Sequence, residues 1–124
     1  MKLLLDTHAA IWWLSDDDRL GSSAAEHLRD DSNHVLLSAA VVWEAAIKQA
    51  IGKLDTPGDL AATLLGAGVL PLPIELDHAV AAGELPRHHG DPFDRMLVAQ
   101  ARLEGATLVS GDEAMRAYDV PILW

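Results

Sequence analysis

The sequence predicts an α/β fold in three layers, with a short parallel β-sheet flanked by helices. Short apolar runs alternate along the chain with longer stretches of helical periodicity, which is the pattern of strands joined by helices. Hydrophobic residues make up 50% of the chain but aromatic residues only 5%, a composition that favours small-residue helices packed on an aliphatic sheet. A length of 124 residues is typical of one domain, so we expect residues 1–124 to form a single domain.

Five short segments are predicted strands: residues 2–5, 34–37, 69–74, 107–110 and 121–124. The first is an apolar run that ends at Asp6. The third contains Pro71 and Pro73, which a sheet tolerates only near its edge because proline has no backbone N–H. Sheets of this kind place functional sites outside the carboxyl ends of their strands, so polar residues that follow a strand are the first candidates for function.

Helices are predicted between the strands, at residues 8–14, 22–29, 38–52, 59–65, 77–85, 92–104 and 112–118. Thr7 and Ser38 are the expected N-caps of the first and third helices. The clearest helix has Asp91 as its expected N-cap, Pro92 at its first position and Gly105 at its end. These start and stop signals separate the helices from the strands on either side.

The charge and residue content exclude several classes of protein. A formal net charge of −10 argues against a broad basic surface for nucleic acid, although acids gathered around divalent cations can still form a nuclease site. The absence of cysteine removes disulfides, thiolate metal sites and cysteine nucleophiles. Asp6 and His8 interrupt the first apolar run, so we expect a strand there rather than a signal peptide, and no segment is long enough to cross a membrane. We therefore expect a cytoplasmic protein.

Three acids are predicted to meet at one edge of the sheet. Asp6 follows the first strand and Asp112 follows the fourth. Asp94 lies in the first turn of the helix that leads into the fourth strand. Because the carboxyl ends of parallel strands share one edge, we expect the three carboxylates to converge there.

Glu44 joins these acids only if its helix has the right orientation. The condition is that Trp43 and Ile47 face the core, so that the face carrying Val41, Glu44 and Lys48 points at the same edge. Carboxylates gathered in this way repel one another, by about 4 kcal/mol per pair at about 4 Å with an effective dielectric near 20. A divalent cation removes this repulsion, and oxygen ligands without cysteine favour Mg²⁺ or Mn²⁺. The acids therefore predict a metal site that can activate water for phosphodiester hydrolysis.

Each of these acids also has a purely structural interpretation. Asp6 and Asp112 could be turn or N-cap residues, and Asp94 could stabilise the positive end of its helix. Glu44 could be half of an exposed ion pair with Lys48. Four unrelated surface acids have no reason to fall at positions that are predicted to meet, so we prefer the metal site.

Other polar and aromatic residues near these positions are assigned to structure. Capping alone explains Asp91. The adjacent His88 and His89 could bind metal or substrate, but we interpret them as part of a polar loop. Three tryptophans are expected to lie in the core or at an interface rather than to stack on nucleic-acid bases: Trp12, Trp13 and Trp43.

Four stretches of the sequence resemble the PIN-domain ribonucleases, and specifically the VapC toxins of bacterial toxin-antitoxin pairs: LLLDTH at 3–8, SAAVVWEAAIK at 38–48, HHGDPFDRMLVAQA at 88–101 and TLVSGDEAMRAYDVPILW at 107–124. The resemblance covers essentially the whole chain, and the third stretch is the most specific. It implies a PIN-like fold in which Asp6, Glu44, Asp94 and Asp112 are the catalytic, metal-binding acids and the bound ion activates the water. It also implies that Ser110 supports the Asp112 end of the site.

The resemblance further implies an RNA substrate, a homodimer, and a small VapB-like antitoxin whose basic segment obstructs the site. The net charge of −10 suits such a basic partner. Two alternatives stay open. A phosphatase would use Asp6 as nucleophile, but that design usually has a second aspartate two residues later, where this chain has His8. An inactive PIN-like module would bind RNA or protein without cutting, and the complete set of acids argues against it.

Overall fold

A five-stranded parallel sheet lies at the centre of the computed structural model, which describes residues 1–56 and 58–124. The strands are β1 (Lys2–Leu5), β2 (His34–Ser38), β3 (Leu70–Leu72), β4 (Thr107–Val109) and β5 (Ile122–Leu123), in the spatial order β3-β2-β1-β4-β5. The predicted α/β class is therefore confirmed. β3 lies at an edge of the sheet, as the prolines in its predicted segment require.

In the described residues six α-helices flank the sheet: α1 (Thr7–Leu14), α2 (Ser22–Arg29), α3 (Ala39–Ala50), α4 (Leu60–Gly66), α5 (Leu76–Glu84) and α6 (Pro92–Glu104). The predicted helix at 112–118 is a 3₁₀ helix, Glu113–Ala117, with Asp112 as its N-cap. The stop signal after α6 acts as predicted, since Gly105 adopts the left-handed conformation with φ of 65°. In the part of the chain that is described, no helix is both long enough and apolar enough to cross a membrane.

The order of the strands places a switch point between β1 and β4. From β1 the chain moves to β2 and β3 on one side, then returns through α5 and α6 to form β4 and β5 on the other. Right-handed crossovers in the two directions put helices on opposite faces of the sheet. Leu5 pairs with Val109 at the carboxyl ends of the two strands, and the next backbone amide, that of Asp6, donates to the Val109 carbonyl at 3.1 Å. Ligand sites of such sheets form in the crevice at this point.

The core is built mainly from aliphatic side chains of the central strands. Leu3, Leu4 and Leu5 of β1 are fully buried, because helices cover both faces of the strand. A polar contact lies within this packing, where the Ser38 hydroxyl donates to the Gln100 side-chain oxygen at 2.5 Å. That hydrogen bond connects the start of α3 to α6 and helps to fix the orientation of both helices.

The orientation predicted for α3 is wrong. Trp43 is 61% exposed and Ile47 is 37% exposed, whereas Val41, Glu44 and Ala45 are buried. The helix packs its small residues inward, since these allow the close approach to neighbouring elements that two large side chains would prevent. Glu44 reaches the interior because it shares this small-residue face.

Two further details near the start of the chain differ in part from expectation. Asp6, not Thr7, is the N-cap of α1, because the Thr7 hydroxyl is used in a contact with Glu44. Trp12 and Trp13 pack against the core as expected, whereas Trp43 lies on the surface with its ring edge-on to Phe93.

Candidate metal centre

Asp6 and Asp112 stand where β1 and β4 end, on the two strands that border the switch point. Asp6 is buried at 8% exposure, and its Oδ1 accepts a hydrogen bond from the Ala9 amide at 2.7 Å. Asp112 is more exposed, and its Oδ1 accepts from the Ala114 amide at 3.0 Å. Both side chains therefore cap helices, as their structural interpretation expected. Each of these cap hydrogen bonds uses Oδ1, so capping leaves Oδ2 of Asp6 and of Asp112 able to serve as a ligand.

Glu44 is a buried carboxylate with a donor at each oxygen. The Thr7 hydroxyl donates to Oε1, and the Lys48 ammonium lies 2.5 Å from Oε2. The side chain of Glu44 is only 6% exposed, so the pair with Lys48 is not the exposed surface pair of the alternative interpretation. These contacts hold the Glu44 carboxylate in one orientation against the start of α1.

Asp94 lies in the first turn of α6 and faces His89. The His89 Nε2 atom is 3.0 Å from Oδ2 of Asp94 and 3.5 Å from Oδ2 of Asp112. Among the described residues, however, this buried nitrogen has no hydrogen-bond partner, so neither approach has the geometry of a hydrogen bond. Ligand atoms around a common ion are arranged in this way, close to one another without pointing at one another.

The pKa values of Asp94 and Asp6 respond to the other acids nearby. The pKa of Asp94 is raised to about 7, mainly by burial and then by the charges of Asp91, Glu44 and Asp6, while His89 opposes them. Burial also raises the pKa of Asp6, and the charge of Asp112 adds to the effect. Asp94 and Asp112 therefore lie together beside His89, whereas Asp6 and Glu44 lie outside that group but close enough for their charges to raise the pKa of Asp94.

The loop that carries His89 is fixed from two sides. The His89 amide donates to the Tyr118 hydroxyl at 2.9 Å. The Arg95 guanidinium donates to the carbonyls of Ala82, Leu85 and Pro86 at 2.9 to 3.0 Å. Because α5 and the loop after it are tied to α6 in this way, His89 is held in place beside Asp94.

Asp91 and Ser110, which the sequence assigns to supporting roles, make supporting contacts in the structure. Asp91 is the N-cap of α6, and its Oδ1 accepts from the amides of Phe93 and Asp94 at 2.8 and 3.1 Å. The Ser110 hydroxyl accepts from the Asp112 amide at 3.1 Å, and its hydrogen bond to Asp6 lowers the pKa of that carboxyl. These contacts orient the backbone at the two places where α6 and the 3₁₀ helix begin.

The donor set fits a small divalent cation. One atom each from His89, Asp94 and Asp112 lies within 4.8 Å of the other two, and the described residues place no hydrogen-bond partner on the buried His89 Nε2. The charges of Asp6 and Glu44 act on the same position, since both raise the pKa of Asp94. Oxygen ligands with one imidazole are compatible with Mg²⁺ and, more strongly, with Mn²⁺. A cation would also offset the repulsion that the acids exert on Asp94.

Comparison with known proteins decides the family. The PIN domain family model matches residues 3–121. The chain belongs to the PIN domain family. It is 30% identical to Ribonuclease VapC22 of Mycobacterium tuberculosis, over 96% of this chain and 93% of that protein. The chain is therefore a PIN-domain homologue of the VapC ribonuclease toxins, as the resemblance of its four sequence stretches implied.

Solved structures of VapC proteins share the fold. The VapBC2 complex of Rickettsia felis has a chain that superposes with a TM-score of 0.72 at 15% identity, covering 98% of this PIN domain and 97% of that chain. The sarcin-ricin loop cleaving toxin VapC20 of M. tuberculosis gives a TM-score of 0.70 at 21% identity, with 95% of each chain covered. VapBC-1 of Haemophilus influenzae gives 0.66 at 20% identity, covering 98% and 96%. The predicted PIN-like architecture is therefore confirmed.

Three residues that the structure places at the site were not assigned to it from the sequence: His89, Lys48 and Thr7. His89 was assigned to a polar loop, although the doublet with His88 was a signal that could have marked it. Lys48 entered only as the partner in an exposed pair, and Thr7 only as a helix cap. The Thr7–Glu44 contact joins segments that are 37 residues apart and leaves no local pattern, whereas Lys48 lies one helical turn from Glu44 and only the burial of that pair could not be predicted.

Proposed function

We propose that this PIN domain is a metal-dependent endoribonuclease that hydrolyses RNA phosphodiester bonds. The observation that carries the proposal is the cluster of Asp6, Glu44, Asp94 and Asp112, in which neighbouring carboxylates help to raise the pKa of Asp94 to about 7. Carboxylates in such a cluster are unfavourable unless a cation or protons compensate them. We propose Mg²⁺ or Mn²⁺ as that cation, with the whole chain, residues 1–124, acting as one domain.

Each acid has a distinct part in this proposal. Asp94 and Asp112 supply oxygens on either side of His89, and Asp6 supplies a buried oxygen at the end of β1. Glu44, fixed by its donors, orients the water that attacks the phosphorus. When bound, the ion lowers the pKa of water and stabilises the charge on the phosphate oxygens. The acids hold this geometry on rigid strand ends and helix starts, which favours hydrolysis over simple binding.

The test is cleavage of a labelled single-stranded RNA by the purified chain. We expect cutting with added Mg²⁺ or Mn²⁺ and none with EDTA. Asp6→Asn and Asp94→Asn should each abolish cleavage without lowering thermal stability. Asp31→Asn, an exposed aspartate in the loop before β2, is the matched control and should cut like the parent chain. Full activity in either site variant would disprove the assignment.

We also propose that the chain acts as the toxin of a type II toxin-antitoxin system in the cytoplasm. Two observations support this: the VapC22 ribonuclease is a relative, and several structural neighbours were solved as VapBC or other toxin-antitoxin complexes. The partner is then a small VapB-like antitoxin with a basic segment, which the net charge of −10 would attract. Expression of the chain alone should arrest bacterial growth, Asp94→Asn should not, and a neighbouring gene for a small basic-tailed protein should restore growth.

The proposed toxin is a homodimer. Its support is the exposed apolar surface of α5, where Leu76 is 87% exposed and Val80 is 60% exposed. Burying such side chains between two copies would stabilise a dimer. Sedimentation should give twice the chain mass for the parent protein, and Leu76→Glu with Val80→Glu should give single chains. A parent protein that sediments as single chains at high concentration would contradict the dimer.

A further inference from the structure

A groove of about 490 Å³ opens beside the acid cluster. It is lined by the proposed ligands Asp6 and Asp112 together with His8, Trp12, Arg19 and Trp124. The last four side chains have no part in the hydrolysis proposed above. The groove therefore joins the position of the chemistry to a surface with aromatic rings and a guanidinium group.

The aromatic side chains of the groove pack around Trp12. The ring centroids of His8 and Trp124 lie 5.2 and 5.9 Å from that of Trp12. Trp124 also lies directly on the backbone of Gly111, since a Cβ atom added there would come within 2.6 Å of the indole ring. A side chain at position 111 would displace Trp124, so the glycine lets the ring lie against the residue that precedes Asp112.

Arg19 is held over the aromatic cluster in a fixed orientation. Its guanidinium carbon lies 4.8 Å from the Trp12 ring centroid. Its Nε and Nη2 atoms donate to the two oxygens of Asp17 at 3.0 and 2.7 Å. No described residue accepts a hydrogen bond from Nη1, and the side chain is 67% exposed. One edge of the guanidinium is thus free to bind an anion from solvent.

These features fit a nucleotide better than they fit a basic protein segment. Aromatic faces bind bases by stacking without selecting a sequence, and a guanidinium binds phosphate oxygens with a planar fork. A lysine or arginine of a protein partner would be attracted by the acids, but its place over the Trp12 ring is already taken by the Arg19 guanidinium. Together the aromatic rings, the guanidinium and the adjacent acid cluster can bind the base and the phosphate of an RNA nucleotide beside a cut bond.

We propose that this groove binds the nucleotide next to the bond that is cut, with Arg19 on its phosphate and the aromatic cluster against its base. The inference rests on the proposed ribonuclease activity, because it places the flanking nucleotide of that substrate. Arg19 is then a specificity-determining residue that touches RNA but not the reacting atoms. Its removal should weaken RNA binding and leave the chemical step intact.

The first measurement is the binding of a fluorescent single-stranded RNA in EDTA, where nothing is cut, across a series of salt concentrations. Arg19→Gln should weaken binding about 10-fold and reduce the slope of log K against log salt by about 0.7, the value for one phosphate contact on a single strand. Arg19→Lys should keep the slope because the charge remains. Arg102→Gln is the control, because Arg102 is exposed near the C-terminal end of α6. It should change neither the affinity for RNA nor the slope.

The second measurement is the rate of cleavage with Mn²⁺. Arg19→Gln should raise KM about 10-fold with kcat unchanged, and a nucleoside 5′-monophosphate should compete better than ribose 5-phosphate because only the former has a base to stack. Equal RNA binding by the parent chain and Arg19→Gln would overturn the inference. An arginine-rich peptide that binds Arg19→Gln more tightly than the parent chain, while RNA binding is unchanged, would assign the groove to a protein partner instead. If RNA binding depends on Arg19 but no RNA is cut, the proposed activity fails and the groove is an RNA-binding site without cleavage.

Discussion

Glu44 and Asp94 are carboxylates of the same cluster, but their surroundings are opposite. Each oxygen of Glu44 has a donor, from Thr7 on one side and Lys48 on the other. Asp94 instead faces the charges of Asp91, Glu44 and Asp6, and His89 is the neighbour that opposes them. The protein therefore compensates Glu44 with its own donors, whereas in the proposed function a cation would compensate Asp94. The two sides of the site should respond differently to mutation, metal and pH.

The largest expected effect is the loss of activity when Asp94 is neutralised. Asp94→Asn keeps the size of the side chain but removes a ligand charge, so kcat/KM for RNA should fall at least about 10³-fold in Mn²⁺. Glu44→Gln should also reduce kcat, because its amide can no longer accept from both donors. If Glu44→Gln has the larger effect on Mn²⁺ affinity, the division of roles between the two sides is wrong.

The same two variants should change stability in opposite directions. In EDTA at about pH 8, Asp94→Asn should raise the free energy of unfolding because it removes a buried charge that lies among other acids. Glu44→Gln should lower it by about 1–3 kcal/mol, because Lys48 and Thr7 lose a charged acceptor. Urea unfolding measures both. A decrease for Asp94→Asn in EDTA would mean that this carboxylate is already compensated without metal.

The difference in the pH dependence of stability between the parent chain and Asp94→Asn should isolate Asp94. Its pKa is raised from 3.8 to about 7 in the folded chain, so between these values the folded state holds a proton that the unfolded state releases. Stability of the metal-free chain should therefore fall as pH rises from about 4 to 7. Asp94→Asn lacks this proton, so its free energy of unfolding should fall less between about pH 5 and about pH 8. Urea unfolding at the two pH values measures the difference. Parallel curves for the parent and the variant would place the raised pKa elsewhere.

The smallest expected effect is that of the hydroxyl that orients Glu44. Thr7→Val removes the donor to Oε1 but keeps the shape of the side chain, so stability should fall by about 1 kcal/mol and kcat by about 10-fold. The control is Thr63→Val in α4, whose exposed hydroxyl donates to the Asp59 carbonyl of its own helix cap. Activity should be unchanged in the control. If kcat is also unchanged in Thr7→Val, the orientation of Glu44 does not depend on Thr7.

The sequence predicts the parts of this fold that have local signals. The start of α6 follows from Asp91 and Pro92, its end from Gly105, and the edge position of β3 from Pro71. Asp6 and Asp112 could be placed at one edge because each comes at or just after the end of a predicted strand, and the strand order brings those strands together. Backbone preferences and strand direction are sufficient for these positions.

Contacts between distant segments could not be predicted in this way. The orientation of α3 was wrong because Trp43 and Ile47 look like core residues, whereas the close packing of the helix depends on the small residues beside Val41. His89 was missed because its position depends on Tyr118 and Arg95, which meet the loop only in the folded chain. A sequence shows which residues can form a contact, but not which of them the tertiary packing selects.

The most direct test of the metal site is calorimetric titration of the metal-free chain with Mn²⁺. Because Asp94 has a pKa of about 7, a fraction of the molecules still carry its proton at about pH 6.5, and Mn²⁺ binding should release that proton. The release appears as a binding heat that depends on the ionisation enthalpy of the buffer. The release should disappear at about pH 8.5, and Asp94→Asn should bind Mn²⁺ at least about 10-fold more weakly with no release linked to this group. Failure of the parent chain to bind Mn²⁺, or equal binding by Asp94→Asn, would contradict a metal-dependent site built on Asp94.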